Sequence, residues 1–140
     1  MSFHEKTNLA MLVILWIVFG GYFYTVAGHL FSDAPPPALD AVWGGLLRMV
    51  ILLVALMVAF HITATVFAPK NADQADERDR CIEIRAEARA DVVLALGIVW
   101  ALILLFTGIE PYWTAHALMF TLVASEVAKS VMRAIAYRVG

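Results

Sequence analysis

The chain has 140 residues, 62% apolar and only 16% charged. Soluble domains average about half apolar and about a quarter charged, so this composition excludes an ordinary water-soluble or disordered chain and points to lipid as the solvent. A net charge of −2 offers no basic excess for nucleic acid, and one cysteine, Cys81, supplies neither a disulfide framework nor a zinc spacing.

Uninterrupted apolar length predicts four membrane spans, at about 9–28, 41–68, 91–108 and 113–137, since roughly 20 helical residues cross a hydrocarbon core of about 30 Å. The first reads as a retained span. Its apolar run is long for the core of a cleaved leader, and Glu5 stands beside Lys6 ahead of it. Pro35-Pro36-Pro37 then makes a stiff, extended linker. Pro69 follows span two, where a helix is expected to stop. Glu110-Pro111 separates spans three and four by a turn of a few residues. Trp43, Tyr112 and Trp113 are expected in one interfacial aromatic belt and Tyr137 in the other.

Basic residues set the expected orientation. Nine of the ten Lys and Arg residues fall in the N-terminal tail, the central loop or the C-terminal end; the tenth, Arg48, lies inside span two. The linkers 28–40 and 108–114 carry none. By the positive-inside rule both termini and the central loop are cytoplasmic. The expected fold class is therefore all-α: an integral membrane four-helix bundle, N-in and C-in, forming one transmembrane domain over 1–140.

The charged cytoplasmic segment 70–91 has no Gly or Pro after Pro69 and is rich in helix formers. Asn71 or Asp73 can cap its start, which predicts one helix from Asp73 to Thr107, extending span three into the cytoplasm. On that helix Arg78, Ile82, Arg85 and Arg89 form one stripe, and Asp76, Asp79, Glu83 and Glu87 a neighbouring one. Two readings stand. It is a solvated connector, or it is a docking surface for a partner helix, for anionic headgroups or for the cytoplasmic face of this protein itself. The candidate interaction motif is Asp76, Glu77, Arg78, Asp79, Arg80 and Arg85. The run Asp76-Glu77-Arg78-Asp79-Arg80, then Ile82-Glu83-Ile84-Arg85-Ala86, resembles the loop signature of a family of small uncharacterised bacterial inner-membrane proteins with a DERD-type motif. His61-Ile62 before Pro69, and Glu126-Val127-Ala128-Lys129-Ser130, are also similar to that family. The resemblance covers 61–140; it implies four membrane helices and a bacterial inner membrane, and no activity.

Ionisable groups within spans are costly and so are candidates for function. Glu126, Lys129, Ser130, Arg133 and Tyr137 share one helical face that must look into protein. With His61 they form a candidate buried polar cluster, His61, Glu126, Lys129 and Arg133. It is either a proton-handling site or a structural one in which Glu126 pairs with Lys129 or an arginine. A candidate outer site joins Arg48, Glu110 and His116. His61 has no histidine at its own depth, so no bis-histidine haem is expected, and no metal or cofactor is predicted. His29 and His116 can meet near the outer surface. No phosphate loop, nucleophile elbow or zinc-protease motif occurs, and no enzyme is expected. The leading expectation is a non-enzymatic accessory, regulatory or assembly protein that meets membrane lipid and a protein partner or a second copy through the charged helix and the polar face of span four. The runner-up is a small oligomeric transporter or channel subunit.

Overall fold

The computed structural model describes residues 3–66 and 77–139, and its elements are all helical. Helix α1 (Phe3–Gly28) runs into a single 3-10 turn (His29–Phe31), followed by α2 (Leu39–Val66), α3 (Glu77–Phe106) and α4 (Pro111–Val139). Three stretches are long and apolar enough to cross a membrane: Lys6–Phe31, Leu39–Thr63 and Arg80–Phe106. The expected continuity of the charged segment with span three holds from Glu77 onward. Its expected caps, Asn71 and Asp73, lie outside the described residues, as do Pro69 and Asp76.

Helix α4 contains no stretch apolar enough to join those three, and its position explains why. All three other helices pack against it: α3 along most of its length, α1 next and α2 least. Among the described residues neither α1 nor α2 reaches α3. The arrangement is thus a hub with three neighbours, not a closed four-sided bundle. A helix shielded by protein can carry polar side chains that a lipid-facing one cannot, and Thr114, His116, Thr121, Ser125 and Ser130 are all buried on α4.

Two different seams hold the hub. Met11, Leu15 and Phe19 recur every fourth residue on α1 and meet Leu46 and Leu53 of α2 and Met119 and Val123 of α4. The seam to α3 instead uses small residues. Ala86, Ala90 and Ala101 are buried on α3, which packs on α4 alone. At Gly97 the helices approach so closely that a Cβ would fall inside the Thr121 side chain. Small residues let helix backbones gain dispersion contact where lipid offers no hydrophobic drive.

The α3–α4 hairpin is tight for a local reason. Gly108 takes φ +74°, a left-handed conformation that costs an L side chain about 1–2 kcal/mol. There its N–H donates to Leu105 O, and Ile109 N–H donates to Leu104 O at 3.3 Å, a Schellman ending that satisfies two terminal carbonyls of α3. Pro111 then opens α4 at the first helical position, where a missing N–H costs nothing. Trp113 N–H closes the turn on Glu110 O at 2.9 Å.

Candidate functional site

The antiparallel hairpin fixes which side chains of α3 and α4 meet. Counting away from the turn by similar distances brings Glu83 and Glu87 of α3 against Arg133 and Lys129 of α4. Lys129 Nζ lies 3.0 Å from Glu87 Oε1, and Arg133 Nη2 lies 2.8 Å from Glu83 Oε1 and 3.7 Å from Glu87 Oε1. The basic side chains are mostly covered, at 21% and 20% exposure, while the carboxylates keep 48% and 58%. The ladder therefore clamps the charged arm of α3 along the last turns of α4, with Ala86 and Ala90 buried beneath it. At the same end Asn8 Nδ2 donates to Ser130 O at 2.7 Å and ties α1 to α4.

This assigns the anions differently from the reading in which Glu126 neutralises Lys129 or Arg133. Glu126 is half-buried and has no hydrogen bond or ion pair among the described residues. His61 is exposed on α2 and has an interaction of its own. The sequence does contain the missing signal: acidic residues four apart on α3, basic residues four apart on α4, and a short turn that sets their register.

At the opposite end, where the two short linkers lie, aromatic rings gather around Tyr112. His116 sits 4.2 Å from it centroid to centroid, and His29 reaches it edge-on at 5.8 Å. Tyr22 stacks on His116 at 5.9 Å with the planes 14° apart. His29 and His116 are thus both gathered around one tyrosine. Tyr112 is itself buried and packs against these rings, while Trp43 is exposed. The nitrogen His116 Nδ1 lies 2.7 Å from Tyr112 O, one turn earlier on its own helix.

No protein family, curated protein or solved structure matched the chain. The site must therefore be read from its geometry. Arg48, Glu110 and His116 are not joined by any hydrogen bond or ion pair among the described residues. Arg48 Nε donates to Gly44 O at 3.1 Å, so its guanidinium bends back toward the linker end, the direction in which a cation in lipid finds water. Glu110 is exposed in the turn, and His116 is buried among rings. Of the charged motif, Glu77, Arg80 and Arg85 are exposed on α3; Arg78 and Asp79 lie within that helix, and Asp76 lies outside the described residues. Among the described residues no three His, Cys, Asp or Glu side chains are grouped as metal donors.

A feature the sequence did not reveal is a groove of about 1190 Å³ between α1 and α3, with α4 as its floor. It follows from the hub arrangement, because α1 and α3 both lean on α4 without touching each other. His116 and Thr121 are its polar floor residues, and the remainder is apolar. Thr121 Oγ1 donates to Ala117 O at 2.8 Å and is turned onto its own helix.

Proposed function

We propose that this is a four-span bacterial inner-membrane protein, with both termini cytoplasmic, that acts without catalysis as an accessory or assembly subunit. The helix α4 serves as the fourth span, at 29 residues as long as its neighbours and lined by them where it is polar. The inner-membrane assignment rests on the resemblance of the charged loop and on the distribution of Lys and Arg.

One observation carries the proposal: the charged arm of α3 is held rigid by α4, and its other face is open. Glu83 and Glu87 are occupied by Lys129 and Arg133, which leaves Arg85 and Arg89, one turn apart, exposed on one stripe of α3 together with Cys81. A stripe of two arginines on a clamped helix suits an acidic helix of a partner subunit. The transport reading, with His61 and Glu126 on its pathway, has less support, since His61 is exposed on α2 and no hydrogen bond or ion pair joins it to Glu126 among the described residues.

The test is purification from native membranes in mild detergent, comparing the parent with an Arg85→Glu/Arg89→Glu variant. A stoichiometric partner that the parent retains and the folded variant loses is the expected outcome. Identical lone species from both proteins would overturn the proposal.

A further inference from the structure

The groove between α1 and α3 is lined by His116, a mostly covered histidine with one ring nitrogen in no hydrogen bond among the described residues. His116 is only 6% exposed, and its Nδ1 faces Tyr112 O at 2.7 Å. A carbonyl oxygen can only accept, so Nδ1 carries the proton and Nε2 of the neutral ring is a bare acceptor. No donor among the described residues reaches Nε2. Tyr22 and Tyr112 hold the ring in place, and His116 lines the groove.

We infer that this groove binds a membrane-soluble phenol of the alkylated hydroquinone class, with a ring hydroxyl donating to His116 Nε2. Three features select that chemistry. The acceptor calls for a donor, which a bilayer acyl chain lacks. The walls carry Phe23, Trp100, Trp113 and Phe120, and Phe23 and Phe120 already pack edge to face at 5.3 Å, the way aromatic walls receive another flat ring. The groove is open at its side and apolar apart from His116 and Thr121, whose hydroxyl is turned onto its own helix, so an alkyl tail can leave the head group toward lipid. Its volume of about 1190 Å³ exceeds the range of about 300–1,000 Å³ usual for small-molecule sites and so accommodates head group and proximal tail together. The inference is one of binding; it invokes no electron transfer and does not depend on the partner proposed for the opposite end of the molecule.

The full chain in lipid nanodiscs is titrated with a radiolabelled decyl-hydroquinone and, separately, with its dimethyl ether. The hydroquinone is expected to saturate at one molecule per chain. The ether has the same ring and tail but no donor, and is expected to bind at least tenfold more weakly, about 1.4 kcal/mol. A His116→Leu variant should show the same tenfold loss for the hydroquinone and none for the ether. Ala117→Trp, which fills the groove from α4, should abolish saturable binding of both. Thermal unfolding in detergent verifies that each variant remains folded, and the comparison of the two ligands on the parent protein needs no variant at all. Equal, unsaturable uptake of both ligands would mean that acyl chains occupy the groove, and would overturn the inference. Undiminished hydroquinone binding by a folded His116→Leu protein would overturn it too.

Discussion

Lysine and arginine side chains that are mostly covered by protein are expensive unless something receives them, and for Lys129 and Arg133 of α4 the receivers are Glu87 and Glu83. Because both carboxylates stay half in solvent, the interaction is screened and modest. A double-mutant cycle on Glu87 and Lys129 should give a coupling of about 0.5–1 kcal/mol in detergent unfolding. The reversed pair, Glu87→Lys with Lys129→Glu, should recover most of what either single change loses. Glu126 should behave differently. Since neither cation depends on it, Glu126→Gln and Glu126→Leu should each change stability by less than about 1 kcal/mol, well below the roughly 3–5 kcal/mol lost on breaking a dry ion pair. A loss in that higher range would restore Glu126 as an ion-pair partner. The sequence made the face of Glu126, Lys129 and Arg133 legible through its period, but not which neighbouring helix supplied the anions, because a helical face has no address until another helix packs on it.

At the scale of elements the hairpin of α3 and α4 is the most constrained part of the protein. Gly97 allows the crossing, since any Cβ there meets Thr121. Gly97→Ala should destabilise by about 1–3 kcal/mol through overpacking, and Thr121→Ala in the same chain should return part of that loss by removing the atoms in the way. Thermal unfolding of the two single variants and the double variant measures both effects. Gly108 is required for its backbone, and Gly108→Ala should cost about 1 kcal/mol with no packing change around it. That glycine was readable beforehand: it lies just beyond the apolar run of span three and three residues before Pro111. The beginning and end of α4, in contrast, were legible from Glu110-Pro111 and the C-terminal basic residues, while its central position was not. Hydropathy ranks stretches by composition, and α4 lacks a long apolar stretch where protein packs around its polar residues.

For the whole molecule, the testable consequence is sidedness. The charged ends of α1, α3 and α4 meet at one end, through Asn8 with Ser130 and Glu83 with Arg133. Cys81 is exposed on the arm at that end. A membrane-impermeant thiol reagent should therefore leave Cys81 untouched in intact cells and modify it in inverted vesicles. Labelling in intact cells would reverse the orientation. Composition and hydrophobic length by themselves determined that the chain is helical and membrane-suited, and local chemistry determined its breaks, because both depend only on neighbours in sequence. The order of helices around α4, the Glu83 and Glu87 ladder and the groove over His116 were decided by tertiary structure alone. Each arises from which faces pack together, and in lipid, where apolar faces gain no solvent-driven preference for one another, that choice is made by small residues and by a few polar contacts far apart in the chain.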